Sequence, residues 1–262
     1  MKDWLLLVDD IPHKGSLNMA VDEHLFHSLT NEPGTFLRFY QWERPTASLG
    51  CSQKAENVLD LEFCRTKGID IVRRMTGGKM VLHHQEITYS IASSDQELFT
   101  GTLGGSYKRI SQALMKGLEK MGLRPSPAAR PPSFYARGNL PCFSHPAQDE
   151  IEIDGKKVVG SAQKRTGKKF LQHGSLPLRH NSALLKSVSL LGTSSDEIRM
   201  TSLNLALGRD VDFYWAVNYL VAGFLDFFGI GFKPLTFTKA DWDKIQDLQK
   251  NKYESDAWTF PK

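Results

Sequence analysis

Cysteine is scarce in this 262-residue chain, which holds only Cys51, Cys64 and Cys142. A small, odd set of thiols excludes a disulfide framework and fits a reducing compartment. Long apolar runs are missing as well. No stretch approaches the roughly 18 apolar residues of a membrane span. The N-terminal run Trp4 to Val8 is too short for a signal segment, and Asp9 and Asp10 follow it at once. The expected location is therefore the cytoplasm, with no membrane partner. Excess charge is slight. The net +4 suits an acidic protein partner and does not call for nucleic acid. Internal repeats and low-complexity tails are absent. No set of His and Cys has zinc spacing, so no metal is assigned, and no cofactor is called for.

What remains is ordinary for one globular domain: 40% hydrophobic and 24% charged residues. Strands are expected at Trp4 to Val8, Phe36 to Tyr40, Thr46 to Leu49, Ile69 to Val72, Met80 to His83 and Ile87 to Ala92. Helices are expected from Ser16, as cap, to Ser28, from Asp60 to Lys67, and from Tyr107 to Met121 with Gly122 as stop. Further on, Asp154-Gly155 joins Glu150 to Ile153 with Lys157 to Val159 as a hairpin. Gln172 to Pro177 reads as another strand. Asp212 to Phe228 is a very apolar helix, and Thr238 with Asp241 forms a capping box for a last helix. Several strands with three or four long helices indicate an α+β fold: a mixed sheet with packed helices.

Three constellations carry chemistry. The first is Arg73-Arg-Met-Thr76-Gly77-Gly78-Lys-Met-Val-Leu-His83, between two strands. Its glycines let backbone approach a ligand, and Arg73 and Arg74 supply charge and donors; a plain glycine turn with solvated arginines is the alternative. The pair is neither a nucleotide-phosphate loop nor a dinucleotide fingerprint. The second is Cys142. Free cysteines are usually small buried hydrophobes, which suits Cys51 and Cys64. Cys142 instead sits in Asn139-Leu-Pro-Cys-Phe-Ser-His145, within a run from Pro125 to Pro146 that holds half of the twelve prolines. Such a run is neither helix interior nor central strand, so its thiol is a candidate loop nucleophile, with an inert cysteine as the alternative. The third is Lys157, ahead of Gly160-Ser161-Ala162. A strand lysine is usually solvated, but a buried one can act on a neighbouring thiol's proton. His145 is the other local base, and His83, His84 and His173 can line a pocket.

Taken in order, seven segments resemble the biotin/lipoate ligase and octanoyltransferase superfamily. They are Asn18-Met-Ala-x-Asp22-Glu, Arg38-Phe-Tyr-x-Trp42, Ser48-Leu-Gly50, the Arg73 to His83 segment, Lys157-Val-Val-Gly-Ser-Ala162, His173-Gly-Ser-Leu176 and Lys252-Tyr-x-Ser-Asp-x-Trp258. The resemblance implies that superfamily's catalytic-core fold over residues 1–262 as a single domain, with a small subsheet near the C-terminal part. No C-terminal accessory domain of the ligase kind is expected. Lys79 stands where ligases usually have a third glycine, and Cys142-Phe143 is most like the cysteine-dependent octanoyltransferases of Gram-positive type. That implies an acyltransferase in lipoate biosynthesis. Cys142 would accept an octanoyl group as a thioester, and Lys157 would assist proton transfer. Arg73, Thr76, Gly77, Gly78, His83, Gly160, Ser161, Ala162 and His173 would bind substrate. The implied donor is octanoyl-acyl carrier protein. The implied acceptor is a lipoyl-domain protein, such as the glycine cleavage H protein or a dehydrogenase E2 subunit. An ATP-dependent lipoate–protein ligase, an amidotransferase between lipoyl domains and a non-catalytic binder are the alternatives. The segment Ser144-His145-Pro146 departs from the family's usual Cys-Phe-Asp/Glu.

Overall fold

The computed structural model describes residues 2–30, 32–99, 101–128, 150–190 and 199–261. Cys142, His145 and most of the proline-rich run lie outside them.

Among the described residues, the frame is a mixed eight-stranded sheet in the order β11-β1-β2-β6-β10-β9-β8-β7. These strands are β1 (Asp3–Val8), β2 (Thr35–Tyr40), β6 (Glu86–Ser93), β7 (Pro125–Pro127), β8 (Ile151–Ile153), β9 (Lys156–Thr166), β10 (Lys169–Pro177) and β11 (Gly231–Pro234). A second sheet, β4-β3-β5, uses β3 (Thr46–Leu49), β4 (Asp70–Arg73) and β5 (Val81–His83). The small sheet thus comes from residues 46–83 and not from the C-terminal part. Its strands flank the Arg73–Gly78 segment, so the loop between β4 and β5 is carried by a sheet of its own.

Alternate residues of the central strands go to opposite faces, as the two-residue period requires. Leu37, Phe39, Tyr89, Ile91 and Phe170 pack with helices α3 (Leu103–Lys120) and α6 (Phe213–Phe228). Tyr40, Ala92 and Leu171 pack with α1 (Gly15–Ser28) and with Ile245 of α7 (Lys239–Leu248). Helices α3 and α6 cross at Gly117 and Gly223; a Cβ on Gly223 would meet Gly117 N at 2.3 Å and Ala113 O at 2.5 Å. The small sheet packs with Cys64 of α2 (Leu61–Lys67) and with Leu185 and Val188 of α4 (Ser182–Val188).

Several local expectations hold to the residue. Asp212 caps α6 through the Trp215 amide, and Gly229 ends it in the left-handed region. Thr238 and Asp241 form the reciprocal capping box of α7. Five local expectations are corrected. Cys51 is exposed, since it follows the end of β3 in a turn, and among the described thiols only Cys64 is buried. Ser16 lies inside α1, which starts at Gly15 after Lys14 without a side-chain cap; the Ser16 hydroxyl donates to Glu254 instead. Helix α3 begins at Leu103, four residues before Tyr107, because the Thr102 side chain caps it at the Gly105 amide. Pro125 to Pro127 is a short strand rather than irregular chain, at the open edge of the sheet where a missing N–H costs no ladder bond. Strand β9 runs through the polar stretch to Thr166, since it pairs with β10 as far as Lys169. No helix among the described residues is long and apolar enough to cross a membrane.

Candidate active site

A cavity opens between the two sheets, with about 400 Å³ of empty space when its open mouth is included. Tyr40, Thr88, Gly160–Ala162 and His173–Ser175 come from the large sheet; Ser48, Val81 and His83 come from the small one. Met19 of α1, Trp42, Arg74 and Gly78 complete the wall.

Polar side chains on that wall are all bonded to other protein groups. The His83 ring bonds Glu86 Oε1 through Nδ1 at 2.7 Å and Ser48 Oγ through Nε2 at 2.8 Å. Glu86 also accepts from Thr88 and Ser175. Trp42 stacks on His83 at 4.0 Å and donates its indole N–H to Thr88. Tyr40 donates to Asp22, and Ser161 bonds the Tyr89 hydroxyl. His173 Nδ1 bonds Asp22 Oδ2 at 3.0 Å, and its Nε2 bonds Thr76 Oγ1 at 2.7 Å. With these groups satisfied internally, the cavity presents an apolar interior, and a polar guest would gain few partners.

Burial sets the electrostatics. It holds the His173 imidazole below its ordinary value, against the pull of Asp22, so the ring is neutral. Burial alone would raise the Asp22 carboxyl, but the His173 hydrogen bond and the Arg38 guanidinium overcome it and hold the group ionised below the usual range. The Tyr89 phenol is pushed up to about 12, chiefly by burial, and stays protonated.

The two arginines differ in role. Arg74 donates to Ser48 O, Gly77 O and Lys79 O, so it folds the glycine loop around itself beside the cavity. Arg73 does not line the cavity. Its guanidinium donates to the carbonyls of Gly50, Cys51, Trp258 and Thr259, and the Trp258 indole donates back to Arg73 O. It ties the loop to the C-terminal segment. Gly50 lies so close to the loop that a Cβ there would sit 2.0 Å from Gly78 O.

Lys157 is 1% exposed at its side chain, and its Nζ lies 2.7 Å from Glu150 Oε2, itself 3% exposed. The buried amine therefore faces a carboxylate. Its backbone also bonds Arg199 O and the Thr201 amide, which fixes the start of β9. Of the expected site residues, Gly78, His83, Gly160, Ser161, Ala162 and His173 meet at the cavity, while Thr76 and Gly77 stand behind Gly78 in the loop. His84 lines a neighbouring cavity, with Trp42 as a wall common to both. Sequence reasoning did not single out Met19, Tyr40, Trp42, Asp22, Glu86 or Glu150 for the site. Met19, Asp22, Tyr40 and Trp42 stood inside segments already noted, and Glu150 opened the expected hairpin; nothing local marked Glu86.

Residues 14–225 match the lipoyl protein ligase A/B catalytic domain. The chain belongs to that family. Within the lipoyl protein ligase A/B family, similar relatives include the octanoyltransferase LipM of Oceanobacillus iheyensis, 32% identical over 97% of this chain and 96% of the relative. That of Moorella thermoacetica is 35% identical over 92% of each. Solved structures with the same fold include a bipartite lipoate protein ligase from Thermoplasma acidophilum, with a TM-score of 0.84 at 21% identity over 99% of this chain and 97% of that one. Lipoate-protein ligase A bound with ATP gives 0.83 at 23% over 98% of each. The α+β reading and the lipoyl protein ligase A/B catalytic-core fold both hold.

Proposed function

We propose that this protein is an acyltransferase of protein lipoylation: an octanoyltransferase that moves an octanoyl group from acyl carrier protein to a lysine of a lipoyl domain. The whole of 1–262 acts as one catalytic unit in a reducing cytoplasm, where a thiol persists. The observation that carries this reading is the apolar cavity whose polar wall atoms are already bonded to one another. Burying the six methylenes of an octanoyl chain there is worth about 5 kcal/mol at roughly 0.8 kcal/mol each. The full-length likeness to octanoyltransferases, at 32–35% identity, supports the reaction class.

The chemistry needs no ATP, because the donor is already a thioester. The Cys142 thiolate attacks the donor carbonyl; a new C–S bond forms, the carrier's C–S bond breaks, and its thiolate leaves and takes a proton. The acceptor's lysine amine then attacks the acyl-enzyme. The amide C–N bond forms, the C–S bond to Cys142 breaks, and the amine's proton passes to the departing Cys142 thiolate, which restores the free thiol. The Lys157–Glu150 pair is suited to both steps. Lys157 does not itself line the cavity but lies at the start of the strand that carries Gly160–Ala162 to its wall; its ammonium, kept in place by Glu150, would donate to the carbonyl oxygen as charge develops. Gly78 and the Gly160–Ala162 stretch border the carbonyl end, and Arg73 and Thr76 hold the loop behind it. The glycine cleavage H protein and a dehydrogenase E2 subunit are the acceptors to try.

The test is transfer from octanoyl carrier protein to a lipoyl domain without ATP, beside a reaction given free octanoate with ATP. Product only in the first supports the transferase. Product only in the second replaces it with the ligase reading.

A further inference from the structure

The N-terminal signature Asn18-Met-Ala-Val-Asp22-Glu takes no part in the chemistry above, yet Asp22 is ionised and 1% exposed beside the active-site cavity. Its carboxylate accepts from Arg38 Nη1 at 3.0 Å, from the Tyr40 hydroxyl at 3.0 Å, and from His173 Nδ1 at 3.0 Å. Arg38 does not depend on Asp22 alone for its counter-charge. Asp9 Oδ2 already takes both its Nε and its Nη2, and Asn18 takes two further bonds. What Asp22 adds is the acceptor at His173.

An ionised carboxylate can only accept, so His173 must carry its proton on Nδ1. The ring is neutral, which leaves Nε2 as a lone pair, and the Thr76 hydroxyl must donate to it across 2.7 Å. Thr76 is 0% exposed and lies in the loop between β4 and β5. That loop is not paired as a strand. It is hooked by Arg74 to its own carbonyls, by the Cys51 amide to Thr76 O, and by Thr76 Oγ1 to the large sheet. Its far end forms one lip of the cavity, since a Cβ on Gly78 would stand 3.5 Å from Ala162 Cβ on β9.

We propose that Asp22 is a positioning residue for acyl transfer: it fixes the His173 tautomer, so that Nε2 holds the Thr76 hydroxyl and, through it, the Gly77–Gly78 turn at the mouth of the cavity. The proposal rests on the transferase reading for its kinetic consequence. The relay itself is a property of the free protein. Losing the Asp22 charge allows the proton onto Nε2, where it faces the Thr76 hydroxyl as a second donor, and the hook loosens. A loop displaced by about 1 Å can cost on the order of a hundredfold in rate.

The experiment has two parts. In the wild-type protein, the nitrogen-15 shifts of His173 are expected to report the Nδ1–H tautomer. An Nε2–H ring overturns the proposal with no variant needed, and whether or not the protein transfers octanoyl groups. In the second part, Asp22→Asn, Thr76→Val and Thr76→Ser are compared as folded proteins in octanoyl transfer. Asp22→Asn and Thr76→Val are each expected to lower kcat by about tenfold or more through the displaced loop, while KM for the carrier changes little. Thr76→Ser keeps the hydroxyl and is expected to recover most of the kcat that Thr76→Val loses. The double variant Asp22→Asn/Thr76→Val should be no slower than either single one. Multiplying losses in the double variant, or a wild-type kcat in Asp22→Asn, would sink the relay. A wild type with the expected tautomer but no transfer would sink the functional reading instead.

Discussion

Gly50→Ala isolates the close packing between β3 and the glycine loop. The added Cβ would sit 2.0 Å from Gly78 O, 3.0 Å from Gly78 C and 3.2 Å from Gly77 C, all of them backbone atoms. A Cβ has no rotamer by which to avoid the clash, and backbone cannot swing aside as a long side chain can. Ordinary contact begins near 3.4 Å, so the loop must retreat by more than 1 Å. It is held where it is by Arg74, which donates to Gly77 O at 2.9 Å and Lys79 O at 2.7 Å, and by the Thr76–His173 bond. Overpacking of this kind costs about 1–3 kcal/mol of stability. The larger effect falls on the reaction, where a 1 Å misplacement can cost on the order of a hundredfold. Urea unfolding gives the first number, and the time course of acyl-enzyme formation by intact mass gives the second. If Gly50→Ala matches wild type in both, the loop is not packed against β3 as described, and its place at the cavity mouth is wrong.

Further outcomes follow from the same geometry. Trp42 lines both the acyl cavity and the one beyond it, so Trp42→Val is expected to join them and raise the yield of dodecanoyl-enzyme relative to octanoyl-enzyme, read by mass in competition. An unchanged preference would place the chain-length stop elsewhere. Glu150→Ala removes the carboxylate 2.7 Å from buried Lys157 and should destabilise by about 3–5 kcal/mol. The pair Glu150→Leu/Lys157→Met should recover much of that in urea while remaining inactive; additive losses would mean that the two groups do not interact. The pH dependence has a definite sign. His173, His24 and His84 are all held below their ordinary 6.5, chiefly by burial. The unfolded chain then binds more protons just below pH 6.5, so this stability is complete above that pH and is lost as pH falls. The urea midpoint should drop between pH 7 and pH 5, and His173→Gln should reduce the drop; a midpoint that rises on acidification contradicts the burial of these rings.

Much of the fold could be read from local signals because those signals act locally. Asp212 and Gly229 bound α6 by capping chemistry that needs only a few neighbouring residues, and Asp154-Gly155 turns the β8–β9 hairpin in the same way. Strand β11 was not anticipated, because Gly231 to Pro234 becomes a strand only by pairing with β1 across the whole chain. The same division applies to the site. The glycine pair, His83, His173 and Lys157 were visible as residue types in suggestive segments. Their partners were not. Asp22 meets His173 from 151 positions away, and Arg73 finds Thr259 across 186. Such contacts are set by strand order in the sheet, which no local pattern encodes. Arg73 illustrates the consequence: its charge suggested a ligand contact, while the structure commits it to four backbone carbonyls.

The central claim is a covalent octanoyl group on one thiol, and mass analysis reads it directly. The protein is incubated with octanoyl carrier protein in the absence of ATP, quenched at acid pH, weighed intact and then cleaved to peptides. One octanoyl adduct on the peptide carrying Cys142 is expected, discharged on adding a lipoyl domain. It should be missing from Cys142→Ser and retained in Cys51→Ser and Cys64→Ser. An adduct on another residue, or octanoylated lipoyl domain formed at the wild-type rate by Cys142→Ser, would contradict the account.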